Sequence, residues 1–367
     1  MNIFILAGEP SGDEYGAQLM QNIAEKKQNV NFFGIGGPLM EAQGLKSMVP
    51  LQKMSVMGFF EIIKTLPFFI KLEKKILKLI AEKKPDKIIL IDYPGLNLRL
   101  APKIKSRIKT QIFYYISPQI WAWKEKRIEI IKKHIDKMIV IFEFEKKWYQ
   151  KRGVGVEYVG HPFLDIWNKG DTENLIQKYK IYKEQPILTL FPGSRKQELK
   201  KHLQLFVDVA LKLKENIPNL QILLGLHPEI QLTNQIEQQI IIINDEPLKA
   251  LEVANVAIVA SGTATLQAAI LNTPTVVVYK MNALSWFLTQ RMVKVKYASM
   301  ANIIAEEEVF PECLQSEATI KNLYKAAHKM FDNSNYKQNL IQKITTMNQK
   351  IGSCGASKKA AEYIINN

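Results

Sequence analysis

Cysteine is nearly absent from this chain: two residues, Cys313 and Cys354, in 367. Two cannot build a disulfide framework, and no CxxC spacing marks a zinc site, so they fit a reducing compartment. Histidine is scarce too. Its five copies show no ligand spacing, so neither a metal site nor a metal cofactor is expected. No apolar run nears the ~20 residues that span a bilayer. The opening MNIFILAGEPSGD has no basic stretch before its short apolar run, and Gly8 ends that run, which predicts no signal peptide.

Acidic charge is the remaining shortage. The 35 Asp and Glu set against 50 Lys and Arg leave a net charge of +15. Such a surplus favours an anionic partner, either nucleic acid or a membrane surface. Zinc-finger and RNP signatures are missing and basic residues run along the whole chain, so nucleic acid is not expected. A lysine-rich background would produce part of the same surplus.

What is present is apolar strand after apolar strand. Hydrophobic residues make up 47% of the chain, and 367 residues suffice for two α/β domains. NIFILA (2–7), NFFGIGG (31–37), KIILIDYPG (87–95), QIFYYISP (111–118), KMIVIFEFE (137–145) and VEYVGHP (156–162) read as strands, mostly separated by helical patterns. Residues 163–186 read as a polar connector with one helical stretch. A second series follows: ILTLFPGS (187–194), QILLGLH (221–227), QIIIIND (239–245), VAIVAS (256–261) and PTVVVY (274–279). Alternating β and α with short connections predicts α/β architecture, two doubly wound parallel-sheet units. Ligands of such units sit at the C-terminal strand ends, and between two facing units in a central cleft. The expected division is 1–165, 186–340 and a C-terminal helical piece, 341–367, broken at Gly352 and Gly355. That last piece either crosses back to the first unit or exchanges between two chains of a homodimer.

Two strand-to-helix turns carry phosphate chemistry. In LFPGSRKQELKKH (190–202), Gly193 and Ser194 keep the turn open and Arg195 adds a guanidinium fork suited to a diphosphate. In VASGTATLQ (259–267), Ser261, Gly262 and Thr263 expose N–H and hydroxyl groups, and Gln267 follows a turn later. Together they suggest a nucleoside-diphosphate site; separately each is also an ordinary α/β turn.

In the first half, GEPSGD (8–13) places Glu9, Ser11 and Asp13 at a strand end. Capping accounts for Ser11 and Asp13 but not for Glu9. Asp92 ends the buried strand IILI, where it either serves as a general base or caps the next helix beside Pro94. SPQIWAWKEKR (117–127) sets two tryptophans beside basic residues, a pattern suited to stacking sugars or bases, with one of the two rings expected in the core. His161 in VGHP reads as structural. Residues 54–84 mix Val56, Met57, Phe59, Phe60, Phe68 and Phe69 with lysines, which points to an interfacial membrane segment. That reading is favoured for 56–69, whereas from Leu72 the pattern is rather that of a crossover helix with a solvated lysine face. Pro67 is expected to break any single helix there.

The strings AGEPSGDxxGA, GIGGPLM, MSVMGFFEII, IDYPGLN, YYISPQIWAWKEKRI, FEKKWYQKRGVGVEYVGHP, LFPGSRKQELKKH, ASGTATLQ and VKYASMANIIAE resemble the lipid-A-disaccharide synthases over essentially the whole chain and in order. The resemblance implies a GT-B glycosyltransferase, peripheral on the cytoplasmic face of the inner membrane with its anionic surface. It implies transfer of 2,3-diacylglucosamine from UDP-2,3-diacylglucosamine to 2,3-diacylglucosamine 1-phosphate, giving a β-1,6 disaccharide and UDP with inversion. Asp92 matches the family's candidate base and Arg195 its nucleotide-linked arginine. Glu9, Ser11, Gly12 and Asp13 match the turn facing the acceptor or the transferred sugar, with Glu9 and Asp13 as further catalytic candidates. Asn302 matches an asparagine near the donor. Departures are Gln267 for a usual Glu, Gly95 for a second Asp, and Ala301 and Glu306 for a Pro and a Gly. Competing expectations are a UDP-N-acetylglucosamine 2-epimerase, a MurG-like transferase and a basic binding protein without activity.

Overall fold

The computed structural model describes residues 1–54, 59–167, 170–228, 230, 232, 238–282, 286, 291, 293 and 295–367, without the side chains of 59–65 and of Lys196. The chain forms two compact units, Met1–Trp167 with Ile351–Asn367, and Asn168–Lys350.

In the first unit the chain runs β1 (Asn2–Ala7), α1 (Pro10–Lys26), β2 (Asn31–Ile35), α2 (Pro38–Ala42), β3 (Lys46–Ser47), α3 (Phe59–Lys83), β4 (Lys87–Ile91) and α4 (Pro94–Lys105). It continues through β5 (Gln111–Tyr115), α5 (Ile128–His134), β6 (Lys137–Val140), α6 (Glu143–Gln150), β7 (Val156–Tyr158) and α7 (Phe163–Ile166). The sheet order is β3-β2-β1-β4-β5-β6-β7, and every pairing is parallel. Ile3–Ala7 and Ile88–Ile91 are fully buried, as continuous apolar strands covered on both faces must be. The chain winds outward from β1 to β3, then crosses back to β4 on the other side. The gap between β1 and β4 is therefore the topological switch point, where connections diverge and leave a crevice.

The second unit repeats the scheme with α8 (Glu173–Tyr179), β8 (Ile187–Phe191), α9 (Lys196–Asn216), β9 (Gln221–Gly225), β10 (Ile240–Ile243), α10 (Pro247–Glu252), β11 (Val256–Ala260), α11 (Thr263–Ile270) and β12 (Thr275–Tyr279). A short strand, β13 (Glu312–Leu314), closes the order β10-β9-β8-β11-β12-β13, again parallel throughout. Its switch point lies between β8 and β11. Leu175 of α8 is fully buried in this unit beside Ile187, Leu223 and Ala250.

Several expectations give way. FEFE (142–145) is not strand but the start of α6: the Phe142 N–H donates to the Glu145 carboxylate at 3.3 Å, which closes the first turn. Pro67 sits inside α3 without ending it. The helix survives because its following turns are anchored: Leu72, Ile76, Leu77 and Ile80 are buried in the core, and buried Glu73 pairs with Arg99 (2.7 Å) and Lys103 of α4. The edge strands β3 and β13 are too short to announce themselves by alternation.

The helix Ser334–Gln349 belongs to the second unit, and the chain returns to the first at Ile351. Its last helix, Ala356–Asn366, packs on α1, with Lys26 and Glu362 paired at 2.8 Å. Asp165 caps that helix, accepting from the N–H groups of Gly355 (2.5 Å) and Ser357 (2.7 Å).

Candidate functional site

At the first switch point two connections meet. Gly8 follows β1, and a Cβ there would fall 2.4 Å from the Tyr93 ring, so only glycine lets the two turns close on each other. Glu9 begins α1 as its N-cap residue, half-buried at the edge of the crevice. Opposite it, Asp92 and Tyr93 both take left-handed backbone, with φ of 42° and 44°. Non-glycine residues adopt that conformation only when their surroundings hold them there. Here the Asp92 carbonyl accepts from Asn97 Nδ2 at 2.7 Å and from the Tyr114 hydroxyl, and the Tyr93 hydroxyl donates to the Met54 carbonyl at 2.7 Å. Asp92 is therefore held through its backbone, and α4 carries no side-chain cap, which removes the capping reading.

The half-buried Asp92 carboxyl is pushed up to about 7, by loss of hydration and then by the charge of Glu9, with Glu145 contributing less. Glu145 is the residue that sequence reasoning missed. It is buried, and its carboxylate accepts from Ser117 Oγ (2.7 Å), Trp121 Nε1 (3.1 Å) and the Phe142 N–H. Burial also raises this carboxyl to about 7. Its signal was present in the pairing of SPQIW with an acid in FEFE, but reading FEFE as strand hid it. Ser117 and Trp121 thus anchor the loop after β5, and Ile116 at its start is also left-handed, φ 64°.

Two expected residues have other work. Asp13 is buried, and its two carboxylate oxygens accept from the N–H groups of Gly37 (2.7 Å), Leu39 (3.1 Å) and Met40 (3.0 Å), tying α1 to the start of α2. An acid so engaged is a clasp between the two elements. Gly12 is buried against β1, where a Cβ would lie 3.3 Å from that of Ala7. Ser11 stays half-buried in the first turn of α1. His161 is structural as expected: buried, accepting from the Phe163 N–H at 3.2 Å, with its pKa lowered to about 3 by loss of hydration.

At the second switch point β8 and β11 are neighbours, so the turns after them lie side by side. Gly193 is left-handed, φ 119°, and a Cβ there would strike Glu198 at 2.4 Å. Glu198 folds back over the turn: it accepts from the Ser194 N–H at 3.0 Å and from Arg195 at 3.3 Å. The turn thus already cradles an anion, its own carboxylate. His202, buried, lies 2.9 Å from the Pro192 carbonyl through Nδ1 and accepts from the Lys280 N–H through Nε2 at 3.2 Å. The neutral ring therefore fixes the turn to the end of β12. After β11, Ser261 donates to the Ala298 carbonyl at 3.0 Å, while Gly262 and Thr263 are exposed at the start of α11. The first N–H groups of that helix have no partner within it. Gln267 is half-buried one turn on.

Asn302 is no ligand contact. It is fully buried, donating to Phe310 O and Glu312 and accepting from the N–H groups of Val309 and Phe310, all at 2.8 Å. Its amide is spent on holding the segment before β13, and Glu312, which also accepts from the N–H groups of Ala298 and Ser299, shares that work.

Of the membrane candidates, Val56 and Met57 and the side chains of Phe59 and Phe60 lie outside the described residues. Phe68 and Phe69 are half-buried against the first unit's core. Helical spacing carries them onto the face of Leu72 and Ile76. Among the described side chains of α3, the exposed large apolar ones are Leu66 and Ile70. Among the described residues no helix is long and apolar enough to cross a membrane, and no cluster of His, Cys, Asp and Glu is arranged to hold a metal.

Solved structures share this fold at low identity. UDP-GlcNAc 2-epimerase from Neisseria meningitidis bound to UDP-GlcNAc matches with a TM-score of 0.68 at 12% identity, covering 100% of both chains. The S. aureus MnaA-UDP co-structure matches at 0.67 and 13%, covering 100% of this chain and 96% of that one. Two parallel-sheet Rossmann-like units of this kind define the GT-B class of fold. Sequence resolves the family within it. The family described as Lipid-A-disaccharide synthetase matches residues 3–364. The lipid-A-disaccharide synthase of Myxococcus xanthus is 33% identical over 370 residues, 99% of this chain and 96% of its own. That of Coxiella burnetii is 33% identical over 369, covering 100% and 98%. The chain belongs to the lipid-A-disaccharide synthetase family, and it is a glycosyltransferase of lipid A biosynthesis.

Proposed function

We propose that the protein transfers 2,3-diacylglucosamine from UDP-2,3-diacylglucosamine to O6 of 2,3-diacylglucosamine 1-phosphate, with inversion at the anomeric carbon. The observation that carries this reading is Asp92: a strained, half-buried carboxyl at the switch point, with a pKa of about 7. A base of that pKa is both deprotonated in useful amount and basic enough to accept a hydroxyl proton near neutrality. The acceptor O6–H gives its proton to Asp92, O6 bonds to the donor C1, and the C1–O bond to UDP breaks with its electron pair leaving on the diphosphate. Attack opposite the leaving group turns an α-linked donor into a β-linked product.

Arg195 and the start of α11 oppose the charge that grows on the diphosphate. In this reading the diphosphate displaces Glu198 from Arg195 and the Ser194 N–H. The UDP-GlcNAc and the UDP of those two solved structures support a UDP-sugar donor here. A membrane-facing role falls to α3, whose outward stripe runs Leu66, Ile70, Lys74, Lys78. Such a stripe inserts apolar groups at one end and meets lipid phosphates at the other.

The test is incubation of the purified chain with both substrates in detergent, without added metal, followed by mass analysis. A tetraacyl disaccharide 1-phosphate with an equal amount of UDP is expected. Epimerisation of UDP-GlcNAc without any disaccharide would overturn the reading.

A further inference from the structure

The loop after β5 holds a second, unexplained arrangement. It leaves the sheet at the same edge as Asp92, one strand over, and adjacent strands lie about 4.8 Å apart. Its tip carries Trp123, 38% exposed, with the Lys124 ammonium 4.2 Å and the Arg127 guanidinium 5.9 Å from the indole centroid. Lys124 is left-handed, φ 56°, a strained turn for a lysine. The one acid between the two cations, Glu125, is drawn away: Arg152 binds it through Nε (2.9 Å) and Nη2 (2.7 Å), and lies 3.8 Å over the Trp148 ring. Among the described residues no carboxylate pairs with Lys124 or Arg127 within salt-bridge distance. Two cations are thus held over one ring with no carboxylate partner among the described residues, and the charge of Arg127 adds to burial in lowering the Lys124 pKa. Holding like charges together costs energy that a bound anion offsets.

The arrangement is also tied to the base. Glu145 fixes the loop through Ser117 and Trp121. The charge of Arg127 reaches the buried Tyr114 hydroxyl, which donates to the Asp92 carbonyl. We propose that Trp123, Lys124 and Arg127 form the subsite for the acceptor's anomeric phosphate, with the indole against the sugar. This rests on the proposed reaction: an acceptor whose O6 faces Asp92 presents C1 and its phosphate across the width of one pyranose ring, toward the next strand's connection. Guanidinium and ammonium suit a phosphate monoester dianion. The subsite gives the enzyme a way to choose a sugar phosphate over a neutral sugar and to orient it end-on.

The experiment compares 2,3-diacylglucosamine 1-phosphate with 2,3-diacylglucosamine as acceptors at saturating donor, in the full chain and in Arg127→Gln, Lys124→Gln and the double variant. In the double variant the ratio of kcat/KM for phosphorylated over dephosphorylated acceptor is expected to fall roughly 10–100-fold. UDP affinity, read by thermal shift, stays unchanged and shows that the variant is folded. A ratio equal to that of the unaltered chain overturns the proposal, as does equal loss on both acceptors. If the variants keep the ratio but detach from vesicles containing anionic lipid, the cations serve membrane phosphates and the acceptor assignment is wrong. If the unaltered chain forms no disaccharide, the proposed reaction fails and the subsite falls with it, a result distinct from a changed ratio.

Discussion

Asp92 combines two costs, left-handed backbone and partial burial beside two other acids, that a purely structural residue would not need. Asp92→Asn is expected to lower kcat about 10²–10⁴-fold while UDP still binds; near-normal turnover would remove it from the chemistry. Glu145 gives a subtler readout. Its charge helps to raise the Asp92 pKa, so Glu145→Gln, which keeps an oxygen for Ser117 and Trp121, should move the acid limb of kcat/KM below about pH 7. Activity would rise at low pH relative to the unaltered chain, and an unmoved limb would separate the two carboxyls. The same groups bear on stability. Both hold protons to about pH 7 when folded and to only about pH 4 when unfolded. The folded chain therefore binds more protons across that window, and each group's contribution to stability falls as pH rises through it. Asp92 was legible in the sequence because an acid closing IILI stands out. Asp13 and Asn302 were misjudged because a motif shows which residues recur, not whether their polar atoms face a ligand or the backbone.

The elements show where periodicity is informative and where it is not. Strands of four to six apolar residues were legible because burial on both faces demands unbroken hydrophobicity. FEFE alternates like a strand, yet the Glu145 cap turns it into a helix start, a choice made by one hydrogen bond rather than by pattern. In α3 the pattern from Leu72 onward was legible, whereas Pro67 argued for a break that tertiary anchoring overrides. The outward stripe of that helix yields a prediction of its own. Leu66→Ser with Ile70→Ser should weaken binding to anionic vesicles roughly 10-fold without moving the urea midpoint. Lys74→Gln with Lys78→Gln should weaken it by a salt-dependent amount of similar size. Unaltered vesicle binding in both would exclude α3 as the contact.

For the molecule as a whole, the doubly wound order of each sheet followed from the alternation of elements, and the switch points followed from the order. The sequence left open whether the C-terminal helices cross back to the first unit or exchange between copies, and the structure returns the chain's last seventeen residues, Ile351–Asn367, to the first unit. Contacts made only on folding specify it: the packing on α1, the clasp at Asp165, the Tyr158 hydroxyl on the Ile351 carbonyl and Lys137 on Asn367. Asp165→Ala removes charge-assisted bonds to three backbone N–H groups, of Gly355, Ala356 and Ser357, and should cost roughly 2–3 kcal/mol in the first unit's urea unfolding. An unchanged midpoint would show that the helix is held by its apolar face alone.

That return also sets an order of assembly during translation. The ribosome releases residues 168–350 before the piece that covers α1, and domains fold as units while the chain emerges. The half of the enzyme made first is thus the half completed last. Until residue 351 and those after it emerge, its nascent form leaves an apolar strip of α1 uncovered, a natural point of engagement for chaperones and of failure for messages cut short.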